Sequence, residues 1–157
     1  MSSLTQLTFF AMRQIIAENQ YYKIEADLEK KRSYITVIGF WSSPSVVPHY
    51  LEDIQKTIDL LAPRFTTVVD FRQMAIHPPD VREKVHEVAV DLAIKGGSVY
   101  AAKICSPDML ANMQVSKIVI DKKARVKMVA SIESADVFLD TIQLQKKDEK
   151  LHPAAEA

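Results

Sequence analysis

A thiol, an imidazole and a carboxylate are the parts of an activated cysteine nucleophile, and Cys105, His77 and Asp70 supply one of each. In that chemistry His77 would take the thiol proton and Asp70 would orient the ring, because a thiol needs a base within hydrogen-bond reach to attack near neutral pH. The surroundings do not fit it. No glycine-rich nucleophile turn encloses Cys105 or any serine, and a cysteine closing an apolar strand is more often a small buried hydrophobe. Metal chemistry fits no better: His49, His77, His86 and His152 lie on separate elements without His-x-x-x-His spacing, and Cys105 has no second cysteine. His86 is expected to face water on its helix. Gly96-Gly97 follows a helix and precedes a strand, the reverse of a phosphate cradle, so the pair reads as a helix terminator. No enzyme activity and no cofactor are expected.

The elements that must position these residues alternate between strand and helix. Tyr22, Ile24, Ala26 and Leu28 alternate with Lys23, Glu25 and Asp27, the period of a strand with one wet face. Tyr34 to Phe40 (YITVIGF) follows as a more apolar strand, so the two form an antiparallel hairpin. Pro44 and Pro48 precede a helix with Val47, Tyr50, Leu51, Ile54, Ile58 and Leu61 on one side, stopped by Pro63. Phe65 to Phe71 (FTTVVDF) reads as a central strand covered on both faces. Pro79 opens a helix whose stripe is Val81, Val85, Val88, Ala89 and Leu92. Val99 to Cys105 and Arg125 to Ala130 are further strands, each followed by a helix, to about Ile120 and to Leu144.

The order is β-β-α-β-α-β-α-β-α, an α/β domain over 21–144 with an antiparallel first strand and later strands parallel. Ahead of it, residues 1–20 are expected as an amphipathic helix, with Leu4, Leu7, Phe10, Ala11 and Ile15 along one side. Such a face would pack on the domain's own core, form a homodimer seam or rest on a membrane surface, the last disfavoured by the lack of Lys and Arg on the polar side. Behind it, residues 145–157 are expected as a charged flexible tail.

Lys and Arg number 20 against 20 Asp and Glu, so no basic excess exists to neutralise a phosphate backbone, and nucleic acid is not an expected partner. A lone cysteine and the absence of a membrane-spanning run point to the cytoplasm. In open α/β sheets ligands sit beyond the carboxyl ends of the parallel strands, which gathers Trp41, Ser42, Asp70, Arg72, His77, Cys105, Ser106 and Ser131 at one edge. Asp70 and Arg72 flank Phe71 and point the same way, either pairing with each other or forming a polar mouth for a partner or an anionic head group. Trp41 reads as an aromatic anchor at that rim, with Phe40 filling core.

This order, with the stretches ITVIGF, TTVVDFRQM and SIESADVFL, resembles the STAS fold of anti-sigma-factor antagonists, and more closely its SpoIIAA-like, STAS/SEC14-type relatives among small bacterial proteins. The resemblance implies a STAS-like mixed sheet and a non-catalytic regulatory module that docks a partner protein. In some branches it implies a carrier of an apolar or lipid-like ligand near membranes. It also implies a phospho-accepting Ser or Thr at the start of the helix after the third strand, which falls here in Gln73-Met74-Ala75-Ile76-His77-Pro78-Pro79-Asp80. That segment has no hydroxyl, so the usual phospho-switch cannot run there. Asp80 puts a permanent negative charge where the helix dipole favours one, or stands as a fixed mimic of the phosphorylated form. The expected contact set is Trp41, Asp70, Arg72, Gln73, His77 and Asp80. The alternative is an apolar ligand held between helices and sheet, with the N-terminal helix as lid.

Overall fold

The computed structural model describes residues 13–151, with side chains to 143. Six strands form one sheet in chain order: β1 (Arg13–Glu18), β2 (Tyr22–Asp27), β3 (Arg32–Gly39), β4 (Phe65–Met74), β5 (Ser98–Ile104) and β6 (Val126–Val129). β1, β2 and β3 are antiparallel neighbours, and β3 through β6 are parallel. The mixed α/β class and the β-β-α-β-α-β-α-β-α order expected from Tyr22 onward are therefore present.

The segment before Tyr22 corrects the expectation of a helix reaching Asn19. Arg13–Glu18 is a strand on the free edge of β2, with a bulge between Ile15 and Ala17. The bulge puts Ile16 and Ala17 both against the core, and this interrupted alternation looks helical in sequence. The rest of the expected N-terminal helix lies outside the described residues. At the other end the last helix continues to Leu151, beyond the expected boundary at Leu144, so the proposed tail begins as helix.

Among the described residues four helices cover the sheet. α1 is Tyr50–Leu61, after a short 3-10 turn at Pro44–Val46. α2 is one run in three pieces: Pro79–Val81, a π-helical turn over Arg82–His86, and Glu87–Gly96. It ends because Gly97 adopts φ +115° and donates back to Ala93 and Ile94, as the glycine pair led us to expect. A Cβ at Gly97 would also collide with the Pro63 carbonyl. α3 is Met109–Asp121, capped by the Asp108 carboxylate, which accepts from the Leu110 and Ala111 amides. α4 is Ile132–Leu151.

The helices divide unequally between the faces. α1, α2 and α3 lie over one face, where Tyr22, Ile24, Val37, Ile54, Ile58, Val85, Ala111 and Val115 form the main core. Among the described residues α4 is the one helix on the other face, over Tyr34, Val68 and Ala102. α3 approaches the strands less closely than the other three helices do.

Candidate functional site

Because α3 stands off, the first face is not filled. A cavity of about 420 Å³ runs along it between the sheet and α1, α2 and α3, inside the range of about 300–1,000 Å³ usual for small-molecule sites. Its walls are apolar, with Ile35 and Val69 from the strands, Ile54 and Ile58 from α1, Val90 from α2 and Val119 from α3 among them. These positions alternate along the strands and repeat at helical spacing, the same pattern that builds the adjoining core.

One end of the cavity is open. The lining residues that are exposed to solvent, Arg64, Ile94, Lys123 and Arg125, all lie at the amino ends of the parallel strands. There the floor carries a row of hydroxyls across three strands: Ser33 Oγ donates to Thr67 Oγ1 at 3.1 Å, and Thr67 Oγ1 lies 3.2 Å from Ser98 Oγ. Ser33 and Thr67 are buried and in register on β3 and β4.

The far end is closed by aromatic and imidazole rings. His86 is only 8% exposed, which corrects the expectation that it faces water. The π-helical turn ending at His86 is the cause: it accommodates an extra residue per turn, so that Val85 and His86 both face inward. His86 stacks on Trp41 with ring centroids 4.9 Å apart, and its Nε2 lies 2.8 Å from His77 Nδ1. His77 Nε2 is 2.9 Å from the Gly39 carbonyl. A carbonyl can only accept, so His77 carries its proton on Nε2, and His86 Nε2–H donates to His77 Nδ1. Both rings are held neutral. Burial lowers the His77 pKa despite the Gly39 hydrogen bond, and burial with the adjacent His77 takes His86 down to about 3.

These placements revise the expected contact set. Trp41 is 0% exposed and Phe40 is 55% exposed, the reverse of the expected roles. β3 ends at Gly39 with φ +71°, which breaks the alternation before Phe40 and turns the Trp41 indole inward, where its N–H donates to the Tyr21 and Ile38 carbonyls. His77 is likewise buried, bonded to His86 and Gly39 and not to Cys105. Its backbone is pinned to α3, with Gln114 Nε2 donating to His77 O at 2.7 Å and His77 N donating to Gln114 Oε1 at 3.1 Å. Trp41 and His77 therefore cannot be surface contacts.

Asp70 and Arg72 pair with each other at the carboxyl end of β4. Arg72 Nε and Nη2 donate to the two Asp70 oxygens at 3.0 and 2.7 Å. Burial pushes the Asp70 carboxyl up, but hydrogen bonds from the Arg72 side chain and backbone pull harder and leave it below its ordinary value. Arg72, Gln73 and Asp80 are exposed. Among the described residues no three His, Cys, Asp or Glu side chains gather to hold a metal ion, and no helix is long and apolar enough to cross a membrane.

Sequence reasoning carried an apolar ligand between helices and sheet only as the alternative, and did not identify the cavity walls, the hydroxyl row or the basic mouth. The available signal was positional: Arg64 and Arg125 each sit immediately before a parallel strand, and Ser98 opens another. No family model matches the chain, and no curated protein matches it. Among solved structures, the anti-sigma factor antagonist SpoIIAA in its unphosphorylated form is similar over 83% of this chain and 97% of that one, at 12% identity and a TM-score of 0.44.

Proposed function

We propose that this protein is a non-catalytic binding module that encloses a small apolar molecule between the first face of its sheet and α1, α2 and α3. The observation that carries this reading is the cavity of about 420 Å³ with walls of Ile, Val and Ala side chains. A gap of this size inside an otherwise close-packed domain forgoes packing contacts, which a bound apolar molecule restores. Tyr50 and His86 line the inner end, with Trp41 and His77 stacked behind His86.

The test is fluorescence titration with the neutral dye Nile red, on the wild type and on Ala101→Leu, whose longer side chain projects into the cavity. Saturable binding by the wild type, weakened roughly tenfold or more by the leucine, is the expected result. A wild type that takes up no dye, or a variant that binds as well as wild type, would sink the reading.

A second reading is the partner docking that the STAS resemblance implies. Phe40, Ile76, Met109, Leu110 and Met113 are exposed apolar residues, and all follow the carboxyl ends of β3, β4 and β5 with the exposed Arg72 and Gln73 beside them. Apolar groups clustered in this way mark docking sites more often than chance exposure does. This reading uses the edge opposite the cavity mouth, so the two are compatible.

A further inference from the structure

The polarity of the cavity mouth bears on what the apolar molecule carries at its other end. The whole chain has equal numbers of acidic and basic residues, 20 of each, yet every charged residue lining the cavity is a cation: Arg64, Lys103, Lys123 and Arg125. A random draw from such a balanced chain would include carboxylates. Among the described residues Arg64, Lys123 and Arg125 have no acidic side chain within ion-pair distance, whereas Arg32, Arg72 and Lys122 do. The three cations are therefore available to an anion from outside the protein.

The hydroxyl row leads to the same place. Ser33 donates to Thr67, and the Thr67 and Ser98 hydroxyls lie 3.2 Å apart with either able to donate; when Thr67 donates, the Ser98 proton is left for a ligand at the mouth. Ser98 is the first residue of β5 and is half-buried at the mouth. A hydroxyl able to donate, beside three cations, fits an acceptor-only head group. Deeper in, the lining holds one further cation, Lys103 on β5, whose Nζ is turned to Ser116 Oγ at 3.4 Å, and is otherwise Tyr50, Thr57, a neutral histidine and apolar side chains, so the cations gather at the mouth.

We propose that the ligand is an amphipathic anion, an acyl or alkyl chain ending in a carboxylate or phosphate, with its head between Arg64, Lys123, Arg125 and Ser98 and its chain directed toward His86. This assignment rests on the pocket reading above and adds the head group and the direction. Long-range attraction at the open mouth also favours capture of anions over neutral analogues.

Calorimetric titration with dodecanoate, dodecyl phosphate and dodecanol, each below its aggregation threshold, separates the possibilities. The expected result is that at least one anion binds about tenfold or more tightly than the alcohol. Arg64→Gln/Lys123→Gln/Arg125→Gln should remove that preference while leaving dodecanol unchanged, and the order of the two anions tells carboxylate from phosphate. Added salt supplies a check on the wild type that needs no variant: the anions should weaken and the alcohol should not. Equal binding of anions and alcohol overturns the head-group assignment and leaves the pocket standing. Equal weakening of all three by the triple variant overturns it too, since the cations would then serve only the fold. Failure of all three to bind overturns the pocket reading itself.

Discussion

Ala101 and Ala102 are neighbours on β5 that point to opposite faces of the sheet, and their surroundings differ in kind. Ala102 is fully buried among Tyr34, Val68, Ala135 and Leu139, beneath a single helix. Ala101 lines a cavity, although three helices lie over its face. The second face is held by a directed polar clamp. Arg32, 0% exposed, donates to Asp136 at 2.8 Å, Asp140 at 2.9 Å and Thr66 at 2.9 Å, and the Tyr34 hydroxyl donates to Asp136 at 2.6 Å. The first face has polar ties of its own, the Tyr22 hydroxyl donating to Asp53 at 2.6 Å and the paired Gln114–His77 bonds, yet α3 there stays farther from the strands. The number of covering helices thus does not decide how tightly a face is packed.

The largest effect should come from breaking the clamp. Arg32→Ala removes a buried cation and leaves Asp136 and Asp140 without their main partner, which should cost about 3 kcal/mol, the low end for a broken buried pair because Asp140 can rehydrate. Urea unfolding measures it. A loss under about 1 kcal/mol would mean that α4 is held by its small apolar cluster alone.

Next in size is the contrast between the two alanines. Ala102→Leu forces extra volume into a filled site and should destabilise by about 1–3 kcal/mol. Ala101→Leu enters empty space and should change stability by no more than about 0.5 kcal/mol, or raise it. Equal penalties at both positions would show that the first face is as tightly packed as the second.

Smallest is a pH response that belongs to the first face. The His86 pKa in the folded protein is about 3, below the unfolded value of about 6.5, so protons bind the unfolded chain first. Stability from the neutral pair is complete above the unfolded value and is lost as pH falls toward the folded one. Between about pH 7 and about pH 5 the loss should be about 1–2 kcal/mol. His86→Phe keeps a ring against Trp41 and should remove most of that slope in the urea midpoint. The same slope in both proteins would place its origin elsewhere.

The parts legible in the sequence were those governed by an unbroken local period. The β2–β3 hairpin follows from the alternation of Tyr22, Ile24 and Ala26 with charged residues, and the Asp70–Arg72 pair from their spacing across Phe71. Each failure lies where a single residue interrupts a period. The bulge between Ile15 and Ala17 made a strand look helical, Gly39 exchanged the roles of Phe40 and Trp41, and the π-helical turn carried His86 from the expected wet face into the core. An apolar ligand between helices and sheet was only an alternative implied by resemblance, and the cavity's walls and mouth were illegible for a different reason. Its volume depends on how far α3 stands from the sheet, a distance no one segment encodes, while its wall residues are the types that fill ordinary cores.

Sheet order that equals chain order has a consequence for synthesis on the ribosome. Each strand can dock beside its predecessor as it emerges, and none has to insert between two strands already in place, which keeps loop closures short. The exception is the clamp, which joins Arg32 to Asp136 across 104 residues of chain. Until α4 leaves the exit tunnel, the nascent domain presents Tyr34, Val68 and Ala102 bare beside a cation awaiting its carboxylates. That uncovered face is the surface on which a chaperone would act, and the emergence of α4 closes it.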